Sequence, residues 1–153
     1  MANAESLLKQ RGIVLPALAE ASANYVLYSR VGNLLFLAGH GPVEGGRPTA
    51  RGKLGRDLTV DEGYRVAREV GLSMLASIRA ALGSLNSVRR VVKVLGMVAS
   101  AEGFTQQPQV INGFSDLMIE VFGENGRHAR SAVGLAELPM GIPVEIEAII
   151  EVE

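Results

Sequence analysis

The 153-residue chain has no cysteine and no tryptophan. Without cysteine there is no disulfide, no thiolate metal ligand and no thiol nucleophile. Aromatic residues make up only 5% of the chain, so few side chains are available to stack on bases. Neither sign of charge prevails. Fifteen Lys and Arg face sixteen Asp and Glu, a net charge of −1, which provides neither the basic footprint of a nucleic-acid binder nor an acidic tail. Arg89-Arg90 is the one adjacent basic pair and reads as a solvated turn before a strand. Of the two histidines, His40 and His128, neither has metal-ligand spacing to the other or to a second ligand, and no metal is expected. No apolar run is long enough to span a bilayer, and the opening MANAESLLKQRGIVL lacks the pattern of a secretory signal. A soluble, cytoplasmic protein without a membrane partner is expected. A G-x-S-x-G elbow, a Walker loop and an H-E-x-x-H helix are all missing, and Gly45-Gly46 lacks the strand-to-helix setting of a phosphate loop.

The composition is that of a folded protein, 48% hydrophobic and 20% charged. Its length suits one domain over residues 1–153, with 1–24 as a short leading helix and connector. Asn3 is placed to cap a helix over 4–11 that Gly12 ends. Residues 25–30 and 34–38 read as strands around the turn pair Gly32-Asn33. The Gly- and Pro-dense stretch 39–57 reads mostly as loop. Thr59 and Glu62 have capping-box spacing. After them Val60, Tyr64, Ala67, Gly71, Met74, Leu75, Ile78 and Leu82 recur at helical intervals up to Gly83. A strand over 90–99 follows, then a helix opened by Pro108 and closed by Gly123, and strands near 131–137 and 143–152. This order gives an α+β layer: one mixed sheet with two long helices on one face. The second strand is apolar on both of its faces and the helices cover only one, which points to another copy of the chain on the other, the competing reading being that the N-terminal segment folds under the sheet.

Few side chains have chemistry to offer. Arg130 opens an apolar strand, where a sheet would hold its guanidinium rigidly, and a planar fork suits a carboxylate. Glu145 and Glu147 alternate with apolar residues in the last strand on a face they share with Ile149, so a covered glutamate there needs a partner or a raised pKa. Asn112 lies on the second long helix, and Tyr25 opens the first strand. His40, in G-H-G, reads as a loop imidazole, and His128, in N-G-R-H, as a solvated turn residue.

Four stretches then carry a resemblance in order: V-G-N-L-L-F-L-A-G-H-G-P, Q-V-I-N-G-F, H-A-R-S-A-V-G-L-A-E-L-P and V-E-I-E-A-I. Together they resemble the reactive intermediate deaminase family, also known as RidA, YjgF or endoribonuclease L-PSP, from Tyr25 to the C-terminus. The resemblance implies a chorismate-mutase-like fold assembled as a homotrimer with clefts between subunits. It implies hydrolysis of enamines and imines such as 2-aminoacrylate to a 2-keto acid and ammonia, with no metal or organic cofactor. In that reading Arg130 holds the substrate carboxylate, Glu145 positions or activates water, and Tyr25 and Asn112 line the cleft. Ala38 and Ala132 stand where the deaminase branch has a serine and, usually, a cysteine, and His40 lies close enough to stand in for that serine. The chain is most similar to a longer subgroup of unassigned substrate. The alternative is a non-catalytic trimer binding a small carboxylate-bearing metabolite; an endoribonuclease is disfavoured by the charge and aromatic content, and no nucleic-acid partner is expected.

Overall fold

The computed structural model describes residues 3–21 and 23–153. Helix α1 (Ala4–Gln10) is capped by Asn3, whose side chain accepts from the Ser6 amide at 2.9 Å. Strands β1 (Tyr28–Val31) and β2 (Leu34–His40) form a hairpin. The expected loop over 39–57 contains a second, small hairpin, β3 (Val43–Glu44) and β4 (Arg47–Pro48), turning at Gly45-Gly46. Helix α2 (Val60–Leu82) starts at Thr59, whose hydroxyl accepts from the Glu62 amide at 3.2 Å, and ends on left-handed Gly83. Strand β5 (Val88–Ala99), helix α3 (Gln107–Phe122), strand β6 (Ala129–Leu135) and strand β7 (Val144–Val152) complete the chain. Arg89 and Arg90 therefore lie inside β5 rather than in a turn, and Arg90 pairs with Glu151 at 2.6 Å.

The main sheet runs β1-β2-β7-β5-β6. Every pairing is antiparallel except β5 with β6, a parallel pair whose crossover is α3. Both long helices pack on one face. Leu35, Leu37, Val91, Val94, Ile146, Ala148 and Ile150 meet Ala67, Val70, Met74, Ile111, Phe114 and Leu117 in one buried cluster. Helices α2 and α3 approach closely at Gly113, where an added Cβ would run into the Tyr64 carbonyl. On the other face Phe36 of β2 and Val133 of β6 are about two-fifths exposed. Between them Val26, Tyr28, Phe36, Ala38, Lys93, Leu95, Glu147 and Ile149 line a concavity of about 420 Å³. Among the described residues no helix is long and apolar enough to cross a membrane.

Candidate active site

The geometry centres on the start of β6. Arg130 lies opposite Val94 of β5, which in turn lies opposite the buried Ala148, so its side chain leaves the sheet on the helix-covered face. There it meets α3. Arg130 Nη1 donates to Asn112 Oδ1 at 2.9 Å and to Ser115 Oγ at 3.0 Å. Asn112 and Ser115 are three residues apart, the spacing that puts two side chains on one helical face. Arginine only donates, so the amide atom facing it is the oxygen, and Asn112 Nδ2 is left without a partner among the described residues. Both Nη1 hydrogens are committed, which fixes the guanidinium plane. Nε and Nη2, which together form a side-on fork, have no partner among the described residues, and no carboxylate there pairs with this half-buried cation.

Ser115 and His128 belong to the same cluster, and neither was singled out from the sequence as part of a site. His128 Nδ1 faces the Gly126 carbonyl at 2.7 Å, so Nδ1 carries the proton. Nε2 is then the acceptor and takes the Ser115 hydroxyl hydrogen at 2.9 Å. The ring also stands edge-on to Phe114, with centroids 6.3 Å apart. The reading of His128 as a solvated turn residue is thus corrected: it is partly buried, and burial, with a further push from the Arg130 charge, holds its pKa below the usual imidazole value although its bond to Gly126 acts the other way. The signal was present in the sequence. H-x-R at a strand start puts both side chains on one side, and N-x-x-S puts both of its polar groups on one helical face.

The remaining predicted residues lie elsewhere. Ala132 shares the face of Arg130 two residues along β6 and packs against the main core. Glu145 is opposite Met97 on the open face, two strands over from β6 and three β5 residues along from the level of Arg130. It is half-buried and makes no hydrogen bond or ion pair with the described residues. Burial, helped by the neighbouring Glu147 charge, raises its pKa. An added Cβ on Gly39 would come within 2.7 Å of its Oε2, so the glycine makes room for this carboxylate. Ala38 lines the open-face concavity with Glu147. Tyr25 precedes β1, at 46% exposure, rather than opening it, because pairing begins only at Tyr28. His40 is not a loop residue. It is the last residue of β2, 4% exposed, with Nδ1 on the Ala38 carbonyl at 2.6 Å and Nε2 on Ser77 Oγ of α2 at 2.8 Å. One chain thus brings Arg130 and Asn112 together and leaves Glu145 and Ala38 on the opposite face of the sheet. Among the described residues no group of three or more acidic or histidine side chains is placed to hold a metal.

Residues 5–143 match the family described as "YjgF/chorismate_mutase-like, putative endoribonuclease". The chain is 46% identical over 145 residues to Protein TCP17 of Trypanosoma cruzi, covering 94% of this chain and 91% of that one. A crystal structure of a "putative endoribonuclease" from Shewanella oneidensis is similar with a TM-score of 0.93 at 32% identity, over 99% of this chain and 100% of that one. RidA from an Antarctic Psychrobacter is similar with a TM-score of 0.62 at 26% identity, over 88% and 94%. From the order of its strands to the motifs around Arg130 and Glu145, the chain belongs to the YjgF/RidA family.

Proposed function

We propose that this protein hydrolyses small carboxylate-bearing enamines and imines of the 2-aminoacrylate type to a 2-keto acid and ammonia. The observation that carries this reading is the Arg130 guanidinium, locked from one side by Asn112 and Ser115 with a bidentate fork left over and no carboxylate among the described residues to fill it. A planar substrate carboxylate satisfies that fork. An enamine first takes a proton at its terminal carbon and gives one up from nitrogen to become the imine; water then adds to the C=N carbon, its proton goes to the nitrogen, and the tetrahedral carbinolamine expels ammonia as the carbonyl forms. Glu145, whose pKa burial raises, is the carboxyl offered for proton exchange with water and the substrate nitrogen. Because Arg130 and Glu145 leave opposite faces of the sheet, a site using both needs a second copy. The proposal therefore includes a homotrimer, with the open face and its exposed Phe36 covered by a neighbour and the clefts between subunits.

The test is a coupled assay in which an amino-acid oxidase or a serine/threonine dehydratase generates a panel of imines in situ and semicarbazide trapping follows their decay. The wild type accelerates decay. Arg130→Ala lowers kcat/KM by about 30-fold or more, the equivalent of ~2 kcal/mol for a desolvated clamp. Wild-type rates in that variant would overturn the assignment. A second reading, a non-catalytic binding trimer, is favoured by alanine at positions 38 and 132 in place of the serine and cysteine of the deaminase branch. It predicts keto-acid binding through Arg130 with no acceleration of any imine. The endoribonuclease named in the family description is disfavoured by the net charge of −1, and a nuclease-free preparation is expected to leave RNA uncut.

A further inference from the structure

A four-membered hydrogen-bond chain ends on the guanidinium: the Gly126 carbonyl accepts from His128 Nδ1, His128 Nε2 accepts from Ser115 Oγ, and Ser115 Oγ accepts from Arg130 Nη1, at 2.7, 2.9 and 3.0 Å. The carbonyl only accepts, which places a proton on Nδ1, and in the neutral ring Nε2 then accepts the Ser115 hydrogen, which points away from the donating guanidinium. A serine hydroxyl that lacked this acceptor would be free to turn its hydrogen toward the cation. Phe114 holds the imidazole edge-on from α3, and Lys93, across from Ala129 on β5, bonds Ser131 on the other face. The Arg130 charge acts on the ring.

We propose that His128 is a positioning residue for carboxylate recognition, acting through Ser115 to set the plane of the Arg130 guanidinium. The inference rests on the reading of Arg130 as the carboxylate clamp, and it assigns selectivity for a carboxylate over an uncharged group to a residue that does not touch the ligand. A glutamine at position 128 can place an amide oxygen where Nε2 stands and keep the acceptor, whereas phenylalanine keeps the packing on Phe114 and removes it.

The experiment compares binding of pyruvate with that of pyruvamide, its uncharged counterpart, by isothermal titration or ligand-observed NMR. The proteins are the wild type, Arg130→Ala, Ser115→Ala, His128→Phe and His128→Gln. The wild type prefers pyruvate and Arg130→Ala loses that preference. His128→Phe and Ser115→Ala lower it about tenfold with pyruvamide affinity unchanged, as a misaligned clamp would. His128→Gln restores it to within about threefold. No preference in the wild type, or an intact one in Arg130→Ala, would overturn the clamp reading. A preference lost in Arg130→Ala but unchanged in Ser115→Ala and His128→Phe would overturn the positioning role alone. Should His128→Phe fail to fold, Ser115→Ala decides, together with the ¹⁵N spectrum of the wild-type imidazole. That spectrum is expected to show the Nδ1–H tautomer, and an Nε2–H tautomer would overturn the inference.

Discussion

Arg130 depends on shape as well as charge. Lysine at this position would keep the charge but could not donate from one nitrogen to Asn112 and Ser115 while offering a parallel pair to a ligand. Arg130→Lys is expected to lose most imine turnover, by about tenfold or more, with an unchanged melting temperature. Wild-type turnover in the coupled assay would show that charge alone is sufficient. His40 makes the opposite case, a histidine whose work is structural. Its bond to Ser77 joins β2 to α2 inside the core, and His40→Leu would leave the buried Ser77 hydroxyl only its long 3.5 Å contact with the Ser73 carbonyl. A loss of about 1–3 kcal/mol in a denaturant titration is expected, with imine turnover retained by the folded fraction. Motif spacing found Arg130, Asn112 and Glu145. It did not show that both histidines are set against serines: the spacings H-x-R and N-x-x-S give the face each side chain takes but not its partner, and Ser77 comes to His40 from a helix far along the chain.

Among the elements, the α2–α3 crossing and the α1 tether carry the sharpest expectations. Gly113 lets α3 approach α2 until no Cβ fits beneath the Tyr64 carbonyl. Gly113→Ala would force the helices apart and carry Asn112 and Ser115 away from Arg130. A destabilisation of about 1–3 kcal/mol by thermal or chemical unfolding is expected, with weaker substrate binding beside it. Stability within about 0.5 kcal/mol of wild type would contradict the crossing as described. Helix α1 is held by Glu5, which accepts two bonds from Arg79 and one from the Leu85 amide. Burial alone would raise the Glu5 pKa, but these bonds outweigh it and the pKa is lowered. Glu5→Gln should cost about 1 kcal/mol, discounted for the partial exposure of the pair. Helix and strand starts were readable because Asn3, Thr59, Pro108 and the closing glycines act locally. The β3–β4 hairpin was not, since its two-residue strands have no periodicity to detect.

At the scale of the molecule, two consequences follow from what is covered and what is open. Phe36→Asp would place a charge on the exposed apolar part of the open face. The proposed trimer is expected to dissociate in a sedimentation experiment and imine turnover to fall with it, while a wild-type chain that sediments as a monomer would refute the assembly. The second consequence concerns acid. His40 and His128 are both held neutral by burial in the folded chain. The unfolded chain takes up protons at both near pH 6.5 and the folded chain does so only at lower pH, so their contribution is complete above that value and is lost as pH falls below it. The slope approaches about 2.7 kcal/mol per pH unit if both are silent in the folded state. Glu145 works in the reverse sense, since its raised pKa lets the folded chain protonate first. Chemical unfolding at several pH values checks the sign, and stability flat from pH 7 to 5 would refute it.

The amino-acid sequence by itself determined the element order, the two-helix layer, the family and the identity of the arginine, because caps, periodicity and motif spacing are properties of neighbouring residues. Only the tertiary structure decided what those residues face. Strand register puts Arg130 under α3 and Glu145 on the opposite side of the same sheet. The crossover through α3 brings Ser115 to His128, and a β2 irregularity turns His40 into the core. Side chains alternate across a strand, so one step of pairing register decides which face receives each group, and that register is set by partners distant in the chain.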